Sequence, residues 1–382
     1  MLFTFSDAVA SLQAYLGDQN TNRSLAYSKR AVSDALRELS NAHEWTYYKA
    51  TGRITTSASY NTGTVVFDYT GGTYERQLTL TGGTWPEWIA DGVVVINTIP
   101  YEVSERKSDT VIVLSKSSNP GEDVASTSFT CYRDTYPLPI DFQALDRALN
   151  LQRIFEMQYV TPRDWLTTQR WLRTPNMVWY YTIIGDQNYQ GAMAMKFAGA
   201  PSSVETIDFV YKRRPRPMRY HEEKTGTVSV SSGSSTVTGA GTAFSQFMVG
   251  SVIRLYNTSN YPTNEEGDYP AFVERTIMSV SSTTSLTVDA TVPDAYTSVK
   301  YVITDPIDID KQTMLGAYKR TCEKLIEHQR QGNNYKSVVE AWKMELLEAM
   351  AADKRYIGTS YAGEGLRGGA GRIIDDAIVR FS

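Results

Sequence analysis

The stretch DIDKQTMLGAYKRTCEKLIEHQRQGNNYKSVVEAWKMELLEAMAADKRY, Asp308 to Tyr356, decides how the rest of the chain is read. Met314, Leu315, Tyr318, Cys322, Leu325 and Ile326 recur at steps of three and four, the spacing of one helix face. Gln331-Gly332-Asn333-Asn334 interrupts that pattern, since glycine reaches positive φ after a helix and asparagine caps the next one. Tyr335, Val338, Val339, Trp342, Leu346, Ala349 and Met350 then resume the spacing. The reading is a hairpin of two amphipathic helices, each about 20 residues and ~30 Å long. Their apolar stripes need further helices to bury them.

Outward from this hairpin, the sequence offers helices at the front and in the middle. Ser6 is placed to cap a helix to Leu16 that carries Val9, Leu12, Tyr15 and Leu16, with Gly17 after it. A second helix runs from about Asn22 to Ala42, with Leu25, Val32, Ala35, Leu36 and Leu39 as its stripe. Pro139-Ile140-Asp141 opens a third, carried to Tyr159 by Phe142, Leu145, Leu149, Ile154 and Phe155. Thr161-Pro162-Arg163-Asp164 opens a fourth that ends before Pro175, with threonine as cap and proline at the first helical position.

Between these lie Gly-, Thr-, Ser- and Val-rich stretches with short alternating runs such as Gln77-Leu78-Thr79-Leu80 and Val111-Ile112-Val113-Leu114. They predict antiparallel strands with turns at Gly71-Gly72, Gly82-Gly83 and Asn119-Pro120-Gly121. Two such modules resemble each other. Thr62-Gly63-Thr64-Val65 matches Thr225-Gly226-Thr227-Val228, and Thr81-Gly82-Gly83-Thr84-Trp85 matches Thr238-Gly239-Ala240-Gly241-Thr242-Ala243-Phe244 with small gaps. Each is about 80 residues, the size of a small barrel or sandwich, and each leaves through a Pro-Ile-Asp.

The expected fold is therefore α+β: a helical-bundle core with two inserted small antiparallel β-barrel or sandwich modules and an extended C-terminal arm. The expected parts are core helices at 1–50, a first β-module at 51–138 and central core helices at 139–177. A small β-element with a basic linker at 178–223, a second β-module at 224–306, the helical hairpin at 307–356 and the arm at 357–382 complete them.

Composition narrows the function classes. The 382 residues carry a net charge of −4, so the chain as a whole lacks a nucleic-acid-binding signature. No apolar run is long enough for a membrane span, and Met1 to Asp7 lacks a basic region and a cleavage site, so no signal peptide is expected. Cys131 and Cys322 lie far apart and without metal-ligand spacing to His43, His221 or His328, which fits production in a reducing cytosol. No metal, cofactor or catalytic residue is expected. Catalytic motifs built on G-x-S-x-G, H-E-x-x-H or a P-loop do not occur. Glu265, Glu266 and Asp268 with Tyr256, Tyr261 and Tyr269 make a polar, tyrosine-edged loop, but glycoside hydrolysis needs two carboxylates facing across a bond.

Two features point to binding. Lys212, Arg213, Arg214, Arg216 and Arg219, broken by Pro215 and Pro217, form an extended basic strap suited to a phosphate backbone or an acidic partner. The competing reading is a solvated linker partly neutralised by Glu222 and Glu223. Beyond Tyr356, a Gly-rich segment leads to the apolar run Ile373 to Phe381, the pattern of an arm that adds to a partner's sheet or groove.

The run Thr225 to Phe244, followed by Met248-Val249-Gly250-Ser251-Val252-Ile253-Arg254-Leu255, resembles β-modules of virion proteins of tailed bacteriophages. The helical frame with its long arm looks like a head-to-tail adaptor (connector) protein of those phages. The first module departs from the pattern at Trp85, Pro86 and Trp88. The resemblance implies a non-enzymatic homo-oligomeric ring of about twelve copies, a dodecamer closed by heterologous contacts. Such a ring sits in the virion at the head-tail junction, after assembly in the host cytoplasm. Its implied partners are the portal protein and the tail nozzle, tube or fibre proteins, with contact to packaged DNA through the strap and no membrane. The implied portal-binding arm comprises Arg367, Arg372, Ile373, Ile374, Ile378, Val379 and Phe381. The alternative class is a trimeric tail or fibre protein that binds a host-surface glycan through its β-modules.

Overall fold

The computed structural model describes residues 2–17, 22–151, 155–165, 180–186, 190–199, 201, 203–256, 259–262, 272–330 and 335–356. The chain divides into two compact units, Met1–Tyr47 with Pro215–Ser382, and Tyr48–Arg214.

The first unit joins the two ends of the chain. Helix α1 spans Phe5–Tyr15, α2 Asn22–Ala42, α3 Leu315–Arg330 and α4 Tyr335–Tyr356. The cap of α1 is Thr4, two residues ahead of the expected Ser6. Its hydroxyl accepts from Asp7 N, and Asp7 accepts from Thr4 N at 2.9 Å, a reciprocal capping box. Val32, Ala35, Leu36 and Leu39 of α2 are buried, as are Ala317, Tyr318, Cys322 and Ile326 of α3 and Trp342, Leu346 and Ala349 of α4. Two polar groups inside this packing are paired: Tyr318 Oη donates to Val32 O at 2.7 Å, and Trp342 Nε1 to Thr321 Oγ1 at 3.0 Å. The hairpin's stripes therefore find the partners that the sequence demanded.

The helical frame stops there, and the helical-bundle core is overturned. Among the described residues these four α-helices are a minority, and the body of the protein is β-sheet arranged in four sheets. The difference lies in the central segment. Phe142–Asn150 is a strand, paired antiparallel with Thr206–Arg213. Two β-bulges interrupt this pairing, between Phe142 and Ala144 and between Leu145 and Arg147. Each bulge inserts one residue, so positions facing the same way are three apart instead of two. Phe142, Leu145 and Ala148 consequently stand opposite Arg213, Tyr211 and Phe209, and their spacing of three imitates a helix. The predicted fourth helix begins as expected, with Thr161 Oγ1 accepting from Asp164 N at 3.3 Å; most of its length lies outside the described residues.

The second unit is built on two four-stranded sheets. One runs Lys49–Thr55, Thr206–Arg213, Phe142–Asn150, Phe155–Glu156; the other Gln158–Tyr159, Tyr180–Gly185, Met193–Ala198, Thr135–Pro137. They share one core that includes Ile54, Tyr136, Phe142, Met195, Phe197, Ile207 and Phe209. The strand Lys49–Thr55, whose residues from Thr51 on are expected to start the first β-module, belongs to this sandwich instead, and the module is inserted after it.

Both β-modules are seven-stranded sheets. The first uses Thr64–Asp68, Gln77–Thr81, Gly92–Ile96, Ile99–Arg106, Val111–Leu114, Val124–Thr127 and Phe129–Arg133. The second uses Thr227–Val230, Thr236–Ala240, Val252–Leu255, Val273–Ser282, Ser285–Val288, Tyr296–Val299 and Tyr301–Thr304. In each, the spatial order is sixth, first, second, fifth, fourth, third, seventh. The long fourth strand pairs with the third through its first half and with the fifth through its second. An equivalent bridge, Tyr60 to Cys131 or Glu223 to Ile303, carries the chain entering the module onto its last strand and curls the sheet toward a barrel. Each encloses its own apolar core, around Phe67, Leu78 and Trp85 or around Val237, Phe244 and Ile277. Identical order, identical bend and identical closure identify the modules as an internal repeat.

Candidate assembly surface

The structure divides the predicted basic strap into held and free cations. Lys212 is buried on the last residues of its strand, opposite Lys49. Arg213 lays its guanidinium over the Tyr48 ring, 5.4 Å from the centroid. Arg216 is a clamp: its guanidinium donates to Gly250 O and Val249 O and meets Asp305 Oδ1 at 3.4 Å, while its backbone N–H donates to Asp308 Oδ2 at 2.8 Å. Arg214 and Arg219 are exposed. Arg214, the last residue of one unit, and Arg219, in the other, are thus the exposed cations of the strap, while Arg216 serves the fold.

The residues that hold the strap were not singled out from the sequence. Asp305 accepts from Arg219 N, from Tyr220 N at 3.0 Å and from Ser251 Oγ at 2.5 Å. Asp308 also accepts from Tyr47 Oη at 2.8 Å. Asp141, the matching aspartate of the first Pro-Ile-Asp, accepts from Tyr211 Oη at 3.0 Å, and its carbonyl accepts from Arg214 N at 2.6 Å. Each Pro-Ile-Asp therefore anchors the strap segment of its own unit. The repeated tripeptide was the available signal, and it was legible only as a module exit.

A second polar cluster lies in the second unit, in a cleft of about 90 Å³ lined by Asp91, Glu102, Asp134, Asp186 and Lys196. Lys196 Nζ stands 3.3 Å from Asp134 Oδ2 and 3.4 Å from Glu102 Oε1. Burial works against the lysine's charge, but the two carboxylates outweigh it and lift the amine above its ordinary pKa. Burial also raises the Asp134 carboxyl, opposed by Lys196. An amine held protonated between carboxylates is no nucleophile, and the volume is far below that of a small-molecule site. This cluster ties the first barrel to the sandwich.

A third cluster joins α1 to the second barrel. Arg254, 1% exposed, donates to both Asp7 oxygens at 2.8 Å, to Glu274 Oε2 at 3.1 Å and to Leu2 O at 3.1 Å. Arg254 stands in the run Met248 to Leu255 that carries the virion resemblance, where spacing alone gives it no role.

The other predicted features lie mostly outside the described residues. These include the arm residues Arg367, Arg372, Ile373, Ile374, Ile378, Val379 and Phe381, and the carboxylates Glu265, Glu266 and Asp268. Tyr261 is described, with the ammonium groups of Lys224 and Lys300 5.3 and 5.2 Å from its ring centroid. Among the described residues no group of three or more His, Cys, Asp or Glu is placed to hold a metal ion, and no helix is long and apolar enough to cross a membrane. No protein-family model matches the chain, and no curated protein matches it.

Proposed function

We propose that the chain is a structural subunit of a ring that joins the portal of a phage head to the tail. The observation that carries this reading is the duplicated barrel, repeated strand for strand, whose second copy has the sequence that resembles virion β-modules. A duplicated module, one copy in each unit, suits assembly, because each subunit offers several weak contacts and a ring multiplies them. The ring would contain about twelve copies closed head to tail, with residues 357–382 reaching the portal, the barrels meeting tail components, and Arg214 and Arg219 facing DNA or an acidic neighbour.

Native mass spectrometry with negative-stain imaging of the purified full chain tests this. Rings of about a dozen subunits are expected, alone or after addition of a portal ring. Trimers, or a monomer that fails to bind portal rings, would overturn the reading.

A further inference from the structure

The charged cleft of the second unit is too small to admit a substrate, so the chemistry open to it lies between its own side chains. Lys196 stands on Met193–Ala198 opposite Thr135, and Phe197 N donates to Asp134 O at 2.7 Å. The strand ladder thereby holds Lys196 beside Asp134. The Asp134 side chain is 2% exposed and that of Lys196 15%. Thr135 Oγ1 donates to Asp134 Oδ1 at 2.8 Å. Asp134 Oδ2 is buried and accepts no hydrogen bond among the described residues, although Lys196 Nζ is 3.3 Å away. The amine therefore meets this oxygen off the hydrogen-bonding direction. Glu102, on the barrel strand Ile99–Arg106, accepts from the same amine at 3.4 Å and is half exposed.

Two buried charges carry a desolvation cost that a poorly directed contact offsets badly, whereas an amide made from the same two groups is neutral. Groups held side by side in near-attack geometry also react as one molecule, with effective molarities of about 10⁵–10⁸ M. The ammonium that stands here at rest is inert. The reactive form is the neutral pair, reached when its proton passes to Asp134, whose carboxyl burial already favours in the protonated state.

We propose that Lys196 Nζ and Asp134 Cγ join in an intramolecular isopeptide bond, with Glu102 as the proton relay. The neutral amine attacks Cγ and forms the Nζ–Cγ bond. Glu102 takes the proton that the nitrogen gives up and delivers it to the departing hydroxyl. The Cγ–O bond breaks and one water leaves, so an ammonium and a carboxylate become one amide and one water, with no electrons exchanged. Asp134 lies between the last barrel strand, Phe129–Arg133, and the sandwich strand Thr135–Pro137. The bond fastens that junction covalently to Met193–Ala198. It does not depend on ring formation, so the two readings can fail separately.

Intact mass spectrometry of the purified full chain, sprayed from denaturant, tests this. The expected mass is one water below that of the unlinked chain. Tandem spectra of a tryptic digest should show a branched peptide in which Lys196 is uncleaved and joined to Asp134. Lys196→Arg and Asp134→Ala should each restore the full mass, and Glu102→Gln should leave most chains unlinked. Asp134→Asn should still link, with loss of ammonia in place of water. A parent chain of full sequence mass, or a water deficit that survives Lys196→Arg, would overturn the bond. Undiminished linkage in Glu102→Gln would overturn the relay.

Discussion

Single residues decide how the ends of the chain are fastened. Arg254 is buried among Asp7, Glu274 and the Leu2 carbonyl, so truncating it removes the guanidinium that both carboxylates meet in the interior. Arg254→Met is expected to cost about 3–5 kcal/mol by chemical denaturation, and Asp7→Asn in the same chain should recover part of that loss. Two histidines set a pH response. Burial lowers the pKa of both His43 and His221; Asp353, 3.3 Å from His43 Nε2, opposes the effect at His43, and Lys29 adds to it at His221. The unfolded chain then binds more protons than the folded one below the ordinary histidine pKa of about 6.5. Stability should be flat above that value and fall as pH drops through it. His221→Gln should flatten the slope in denaturation midpoints measured from pH 7.5 to 5. Unchanged slope in that variant would place the response elsewhere.

At the scale of elements, the first hairpin of each barrel depends on a glycine pair. Gly63 (φ 97°) and Gly226 (φ 87°) precede the first strands, and a Cβ on either would meet the facing carbonyl, Thr81 O at 2.3 Å or Ala240 O at 2.4 Å. Their partners across the hairpin, Gly82 and Gly241, also have positive φ. The structure therefore aligns Gly82 with Gly241, two residues beyond the sequence match to Gly239. Gly63→Ala and Gly226→Ala should each cost about 1–3 kcal/mol or more, and hydrogen exchange should show the lost protection confined to the affected barrel. The sandwich teaches the opposite lesson. Hairpins and helices were legible from local spacing and glycine placement, but the bulged strand Phe142–Asn150 was not, because its apolar residues sit three apart and only its partner strand reveals why.

For the whole molecule, the two units each bury one free thiol. Cys131 lies in the core of the first barrel and Cys322 in α3, and burial pushes both up to about 12. Neither should react with iodoacetamide in the folded protein. Pulse alkylation along a urea series, resolved by peptide mass spectrometry, should show Cys131 and Cys322 becoming reactive in separate cooperative steps with their own midpoints. A single shared midpoint would mean that the units unfold as one. The ring reading also belongs to this scale: deleting residues 357–382 is expected to abolish binding to a portal ring while leaving the subunit's own assembly intact, as seen by sedimentation with and without portal.

Local sequence alone specifies the terminal helices, the long hairpin packed with them and the repeat of two β-modules, and it carries no recognisable catalytic motif. These are properties of short-range spacing, where 3.6-residue and two-residue periods and glycine at forced backbone angles act over a few neighbours. Tertiary structure alone decided that the middle of the chain is a β-sandwich, that Arg216 is held by Asp305 and Asp308, and that Arg254 binds Asp7 from a strand far along the chain. Each of those outcomes depends on which distant group satisfies a backbone ladder or a buried charge, and pairing partners are absent from local periodicity.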